Sequence, residues 1–257
     1  MKFIRFFTSV FRFTLILQKR YFFDVAAGLV NLLLFLVFIQ LGIHTFQGYV
    51  DGALIGQKLS MLIIGFFSFM VVSNSISVVA YGIVEGASTG TLEQAMLSPF
   101  GAEGLFLGVA ASRSIINLII AGILIPVSML ICSHWFSIDI YSFILLIIPM
   151  WICCWGIGFM FGAFALVFKR IGSFLNLAQF IILSLMVLPS YPFSWYSLLP
   201  VSPQVVTMTK VCGVGGPLSL SWLSYLYVHG ALYLLLGILI FKKGEDYAKR
   251  KGILGQY

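Results

Sequence analysis

The chain has 257 residues, of which 61% are hydrophobic and 9% are charged, and its formal net charge is +7. An ordinary soluble domain is about half apolar and about a quarter charged, so this composition excludes a water-soluble globular fold. The basic residues lie beside the ends of apolar runs, which argues against nucleic-acid binding and for contact with anionic lipid headgroups.

Residues 1–22 predict a helix that lies in the membrane interface rather than crossing the bilayer. Apolar residues such as Phe6, Val10 and Leu17 surround most of this helix, and basic residues gather near one side. The basic residues are Lys2, Arg5, Arg12, Lys19 and Arg20. A cleaved signal peptide is the alternative, but arginines interrupt any apolar core and no small-residue cleavage site follows. We expect the segment to be kept.

Apolar runs then recur along the chain, close to the length of about twenty residues that a helix needs to cross the hydrocarbon. The six runs are 25–46, 59–84, 105–131, 141–168, 173–189 and 222–241. The short alternating segments of a membrane barrel are not visible. The sequence therefore predicts one all-α integral membrane domain over 1–257, with an interfacial helix at 1–22, a six-helix membrane region at 25–241 and a tail at 242–257.

The distribution of Lys and Arg predicts the orientation of these spans. The N-terminus, the connection 85–104 and the C-terminal tail fall on one side, and with Arg113 and the turn 169–172 they hold all 15 basic residues except Lys58 and Lys210. The positive-inside rule makes this side the cytoplasm, which places both termini there. Arg113 falls inside the third span, where its long side chain can reach the cytoplasmic headgroups, and a functional pairing is the alternative.

Cysteine and polar residues inside the spans are expected to serve packing. Cys153 and Cys154 lie in an apolar run and predict small core residues. Cys132 and Cys212 both map near the outer surface, which leaves a disulfide between them open. Polar span residues are expected to face protein rather than lipid. They are Asn31, Gln40, Asn74, Asn117, Asn176 and Gln179.

Enzyme motifs are largely missing from the sequence. It contains no G-x-x-x-x-G-K-[ST] phosphate loop and no H-E-x-x-H motif, and we expect neither ATP hydrolysis nor a metal site in this chain. The scattered His44, His134 and His229 are typical of hydrogen-bonded residues near helix ends. Gly86–Gly90 matches G-x-S-x-G, but that hydrolase turn needs a preceding strand and a base near Ser88, so we interpret the match as coincidence.

The connection after the second span predicts a short amphipathic helix parallel to the membrane. Gly86 and Gly90 loosen the chain, Thr91 can cap a new helix, and Glu93 lies in its first turn near the positive end of the dipole. Ser98-Pro99 ends this helix. Its apolar side consists of Leu92, Met96 and Leu97. These residues alone allow two interpretations equally: a helix resting on lipid, or one that inserts into a groove of a cytoplasmic partner.

A family resemblance favours the second interpretation. Glu85-Gly86 followed by Gly90-Thr91-Leu92-Glu93-Gln94-x-x-Leu97-Ser98-Pro99 resembles the signature of ABC-2 type transporter permeases, at the same place after the second span. The amphipathic N-terminus, the six spans and the proline-rich segment from Leu188 to Pro203 are also similar to that family. The charged cluster often found before the Gly-Thr pair is reduced here to Glu85, which departs from the pattern.

The resemblance implies an exporter in the bacterial cytoplasmic (inner) membrane, built from two permease subunits and two separate ABC ATPase subunits. The cofactors, ATP and Mg²⁺, would bind the ATPase subunits, with none in this chain, and the substrate would be drug-like, lipid-like or a glycan. The implied ATPase-coupling residues are Glu85, Gly86, Gly90, Thr91, Leu92, Glu93, Gln94, Met96, Leu97, Ser98 and Pro99.

In this family the glutamates of the connection are the candidates for ionic contacts with the ATPase, and its apolar side is the candidate anchor. The family also implies short re-entrant helices within 190–220 that cover the exit route. Two other functions stay open on the sequence: an ATP-independent channel or secondary transporter, based on the polar span residues, and a membrane hydrolase using Ser88.

Overall fold

The computed structural model describes residues 2–23, 26–31, 33–34, 37–38, 52–88, 90–91, 97–98, 100–131, 133–168 and 172–251. Within these ranges the regular structure is helical and contains no strand, which confirms the all-α prediction for them. The helices are α1 (Lys2–Arg20), α2 (Gly52–Ser88), α3 (Gly101–Ile131), α4 (Ile140–Phe168), α5 (Gly172–Met186), α6 (Ser202–Val214) and α7 (Leu220–Arg250), with a short 3-10 helix at Trp195–Leu198. The described residues between 26 and 38 are also helical.

Four of these helices are long and apolar enough to cross a membrane. They are α2 over Leu59–Gly86, α3, α4 and α7, and they correspond to the predicted second, third, fourth and sixth spans. The predicted first span, 25–46, lies largely outside the described residues. The predicted fifth span appears as α5, whose 15 residues extend about 22 Å, less than the hydrocarbon thickness of about 30 Å.

Helices α4 and α7 pack through a seam of small residues that repeats every seven positions. The seam consists of Pro149, Gly156 and Ala163 on α4 and Gly230, Gly237 and Gly244 on α7. A Cβ atom added at Gly230 would lie 2.8 Å from the Pro149 carbonyl oxygen, and one at Gly237 would overlap the backbone of Gly156. Seven-residue spacing keeps such positions on one face of each helix, so the two backbones stay close over several turns.

Helix α2 runs in the same direction as α4. A Cβ atom at Gly158 would lie 2.9 Å from the carbonyl oxygen of Ile76, and one at Gly162, one turn later, would overlap the side chain of Ile83. Because the residue numbers increase together along both helices, α2 and α4 are parallel. The seam between α4 and α7 has the same property, so these three helices share one direction.

Helix α3 runs opposite to the other three. Near the start of α3, the ring of Phe106 packs over Gly82 of α2. A Cβ atom added at Gly82 would lie 3.5 Å from that ring. Towards its end, Ile125 lines a small cavity together with Phe67, which precedes Gly82 by several turns of α2. This is the relative direction expected of alternating spans. It also defines two ends: the α1 end, where α2, α4 and α7 finish and α3 begins, and the α6 end, where the reverse holds.

Helix α6 is a short buried helix at the α6 end, within the segment 190–220 where the family resemblance implies re-entrant helices. A Cβ atom at Gly213 would lie 3.2 Å from Cα of Met61 on α2. On the α7 side, the Trp222 indole Nε1 donates a hydrogen bond to Thr207 Oγ1 at 2.6 Å. Because its partners lie on α2 and α7, α6 joins the ends of two long helices.

The three cysteines that the structure describes are free thiols, which decides the question of a disulfide that the sequence left open. Cys212 is a buried free thiol, so it does not pair with Cys132, which lies outside the described residues, whereas Cys153 and Cys154 are buried in α4 as predicted.

Polar span residues behave in two ways. Gln179 donates to Ser77 Oγ on α2 at 2.9 Å, as expected for a residue that faces protein. Asn74 is half-buried and donates to the Met70 carbonyl of its own helix at 3.0 Å. Asn31 and Asn176 are exposed instead. Asn176 lies in the first turns of α5 at the α1 end, where headgroups or water can reach its amide. Asn31 lies on a helical segment whose half-buried positions, 26, 29, 33 and 37, all fall on the other side. Gln40 lies outside the described residues.

Candidate functional site

The predicted coupling connection lies at the α1 end, where α1, α2, α3 and α7 come together. Phe100, directly before α3, has its ring 4.5 Å from the ring of Phe6 on α1. Glu103, in the first turn of α3, forms an ion pair with Lys242 near the end of α7, with 3.3 Å between Oε1 and Nζ. The entry into α3 is therefore attached both to α1 and to α7.

The first part of the connection continues α2 further than the sequence predicted. Helix α2 extends to Ser88, so Gly86 lies inside it and does not loosen the chain there. Glu85 is exposed in the last turn of this helix. The backbone turns at Gly90, whose φ of +70° favours glycine. The Thr91 hydroxyl donates to the carbonyl of Gly86 at 3.4 Å, at the end of α2.

The last part of the connection is a turn that exposes a large apolar side chain. Leu97 is 85% exposed. The Ser98 carbonyl accepts a hydrogen bond from the Gly101 amide at 2.9 Å, and Ser98 Oγ accepts from the Phe100 amide at 3.4 Å, which leads the chain into α3. The other predicted coupling residues, Leu92, Glu93, Gln94, Met96 and Pro99, lie outside the described residues.

Helix α1 has the predicted amphipathic character, with its basic residues directed away from the bundle. Arg5, Arg12 and Lys19 are exposed and seven residues apart, which aligns them on one face, and Arg20 is exposed at the helix end. The opposite face packs towards α3. Its residues are Phe6, Val10, Thr14 and Leu17, of which Val10 and Thr14 are buried.

Two adjoining cavities, which the sequence did not reveal, lie between α1, α2 and α3, and the first is also lined by Gly28 and Leu29 of the helical segment at 26–31. The first, named the polar cavity, has a volume of about 470 Å³ and a lining that is about half polar and includes Gln18, Asn74 and Asn117. The second, of about 690 Å³, is lined mainly by apolar residues such as Val10 and Phe106. The residues common to both are Thr14, Leu17, Glu85 and Arg113. The available sequence signal was Arg113 and Asn117, one turn apart on a span.

The basic residues gather in space as the sequence predicted. At the α1 end lie Arg5, Arg12, Lys19, Arg20, Lys242, Lys243, Lys249, Arg250 and Lys251. Both ion pairs found among the described residues, Glu103–Lys242 and Glu245–Lys249, are at this end. At the α6 end, the Lys210 ammonium lies 4.6 Å from the centre of the Tyr191 ring. The charge asymmetry therefore distinguishes the two ends of the bundle.

The residues considered for enzyme chemistry do not come together. Ser88 is the last residue of α2 and is not preceded by a strand. His134 and His229 lie at the α6 end, where they pair with Ser60 Oγ and with Gln204 Nε2, each at 2.9 Å. His44 lies outside the described residues. Among the residues that the structure describes, no group of His, Cys, Asp and Glu could hold a metal ion.

Comparison with known proteins gives no assignment for this arrangement. No protein-family model matches the sequence, and no curated protein matches it. The interpretation of the α1 end therefore depends on its own residues and geometry.

Proposed function

We propose that this chain is the membrane subunit of an ATP-driven exporter of the ABC-2 type, in which separate ATPase subunits bind the connection between α2 and α3. The observation that carries the proposal is Leu97, a large apolar side chain held 85% exposed in a connection at the basic end of the bundle. An exposed leucine at this end suits the groove of a cytoplasmic partner better than water.

A membrane location is supported by the surface of the long helices. Large apolar side chains on α3 and α7 point outward over several turns, and soluble monomers rarely expose such extended apolar areas. Examples are Ile119, Ile123 and Leu130 on α3 and Leu232, Leu235 and Leu239 on α7. In the proposed topology, 25–46 forms the first span, and α5 with the residues that follow it crosses from the α1 end to the α6 end as the fifth. Helix α6 is then a re-entrant helix at the outer end, and six crossings give the ABC-2 arrangement with both termini in the cytoplasm.

The attachments of the connection suggest how ATPase movement would reach the membrane helices. The turn at Ser98 passes directly into α3, and Glu103 joins the start of α3 to Lys242 on α7. Displacement of the connection by closing ATPases would therefore move the start of α3 and the end of α7 together. Rigid-body shifts of packed helices are a common means of switching between inward-closed and outward-open states.

Association with an ATPase is the direct test of this proposal. The protein is purified together with the products of its neighbouring genes, and we expect a nucleotide-binding subunit to co-elute with a second copy of this chain or a related permease. Transport into vesicles should require ATP and Mg²⁺. A preparation that transports substrate but contains no nucleotide-binding subunit would contradict the proposal.

Substitution of Leu97 tests the contact itself. Burial of a leucine side chain stabilises an interface by about 1.5–3 kcal/mol, so Leu97→Asp should weaken ATPase association by about tenfold or more. Leu198→Asp is the matched control, because Leu198 is 59% exposed but lies at the α6 end. Equal effects of the two leucine variants would place the contact elsewhere.

We also expect Glu93→Arg to weaken association with the ATPase or to uncouple ATP hydrolysis from transport.

The polar cavity beside Asn74 and Asn117 favours a second candidate, an ATP-independent channel or secondary transporter. Polar groups inside membrane spans often mark a route for substrate or ions. Transport in vesicles that persists without ATP, and that is lost in Asn117→Leu, would support this candidate over the first.

A further inference from the structure

The polar cavity between α1, α2 and α3 contains a cationic group near the membrane boundary. Helix α3 has 31 residues, about 46 Å, whereas about twenty residues cross the hydrocarbon. If Ile131 marks one boundary, the other falls close to residue 112, so Arg113 lies at the level where the hydrocarbon meets the headgroups. A guanidinium at this depth needs an anionic or polar partner.

The cavity offers hydrogen-bonding groups that the described part of the chain does not use. Arg113 is half-buried, and its guanidinium makes no ion pair or hydrogen bond with any described residue. The side-chain amides of Asn117 and Gln18 also make no hydrogen bond with a described residue. Asn74 donates to its own helix, which leaves its amide oxygen as an acceptor. At about 470 Å³ the cavity falls within the range typical of small-molecule sites. Its unused donors suit a ligand rich in acceptor oxygens.

The adjoining apolar cavity gives this ligand a second requirement. It shares Arg113 and Leu17 with the polar cavity and continues between Phe13, Leu105 and Val109. A ligand that fills both must therefore carry a polar, anionic group next to an apolar chain. Glu85 lines both cavities as well, and its carboxylate disfavours a doubly charged phosphate more than a singly charged phosphodiester.

We propose that the two cavities bind a phospholipid, with Arg113 contacting the phosphodiester and an acyl chain lying against the apolar wall. Arginine presents a planar array of donors that matches phosphate oxygens in pairs, and Asn117, one turn further along α3, can donate to a third oxygen. The inference requires the membrane location proposed above but not the ATPase partner.

Lipid retention measured by native mass spectrometry tests this site on the full-length protein without any ATPase. Delipidated protein is mixed with phosphatidylglycerol, with diacylglycerol of the same chains, or with inorganic phosphate. We expect retained phosphatidylglycerol, little diacylglycerol, and no displacement of the lipid by inorganic phosphate at the same concentration. Arg113→Gln should weaken retention by about tenfold, as for loss of a charged hydrogen bond.

Lys243→Gln is the matched control, because it removes one positive charge from the same end at an exposed residue that lines neither cavity. Wild-type retention in Arg113→Gln, equal loss in Lys243→Gln, or displacement of the lipid by inorganic phosphate would each overturn the proposal. Should Arg113→Gln fail to fold, Arg113→Lys keeps the charge and Asn117→Leu removes a neutral donor. Both should weaken retention, and wild-type retention in both would equally overturn it.

Discussion

Glu103 in the first turn of α3 forms an ion pair with Lys242 near the end of α7, with 3.3 Å between the two charged atoms. The position near a helix N-terminus further favours the carboxylate. Because the Lys242 side chain is 58% exposed, the pair should stabilise the fold by no more than about 1 kcal/mol. Its importance is that it joins the entry of α3 to a helix distant in sequence.

Charge reversal tests this link. We expect Glu103→Lys to lower thermal stability slightly and to reduce ATP-dependent transport, because it places two ammonium groups together. Adding Lys242→Glu should restore both, with a coupling energy of about 0.2–1 kcal/mol in a double-mutant cycle. Lys243→Glu is the control, since Lys243 is exposed and pairs with no acidic residue in the described part of the chain. A cycle with no coupling would show that the pair does not form in solution.

The seam between α4 and α7 should not tolerate a side chain. Gly237→Ala forces the two backbones apart and should destabilise the protein by about 1–3 kcal/mol, as overpacking of a core does. Gly122→Ala on α3 is the matched control, because a Cβ atom there meets no atom within 4 Å. The control should be neutral or slightly stabilising, since alanine favours helix over glycine by about 1 kcal/mol. Thermal unfolding in detergent compares the two, and equal melting temperatures would contradict the described seam.

The hydrogen bond between Trp222 and Thr207 should hold α6 against α7. Thr207→Val leaves the buried indole N–H without an acceptor, which costs about 1–3 kcal/mol. The control Thr209→Val removes only a bond to the Val206 carbonyl of the same helix, at 2.9 Å. We expect the Thr207 variant to have a lower melting temperature than the control and a shifted wavelength of maximum tryptophan emission. Indistinguishable variants would mean that α6 is positioned by its apolar contacts alone.

Asp139 gives a predicted dependence on pH. The Ser142 hydroxyl donates to its carboxylate, and the Tyr141 and Ser142 amides also donate, which lowers the pKa of Asp139 below 3.8. Since the pKa is lowered in the folded protein, the stabilisation is complete above pH 3.8 and is lost as the pH falls through the lowered pKa.

The stability difference between wild type and Asp139→Ala should therefore shrink on acidification. Asp139→Asn keeps the acceptor that caps α4 but removes the titration. Melting temperatures recorded on both sides of pH 3.8 check this, and a constant difference would show that the carboxylate does not cap the helix.

The long helices could be predicted from the sequence because the hydrocarbon thickness imposes a minimum length of apolar chain. Their ends were less accessible. Helix α7 was expected to end at residue 241, but it continues to Arg250, since Glu245 and Lys249 pair one turn apart and Lys242 pairs with Glu103. A hydropathy pattern does not register such polar turns.

The burial of α6 and the cavities beside Arg113 could not be predicted in the same way. Thr207 and Gln204 are polar, and their burial depends on hydrogen-bond partners that Trp222 and His229 supply from another helix. The cavities depend on the angle at which α1 crosses α3, which no local sequence pattern encodes. Arg113 was recognised as unusual, but its surroundings come from α1, α2, α3 and the helical segment at 26–31.

The glycines between α4 and α7 also restrict how this protein can change shape. Helices that pack through side chains can slide, because the side chains adopt new rotamers. The backbones of α4 and α7 are in direct contact, so no side chain between them can adjust. Helices α4 and α7 should therefore move together as one rigid body during any conformational change. Cavity volume can therefore change chiefly around α1 and α3, where the two cavities already lie.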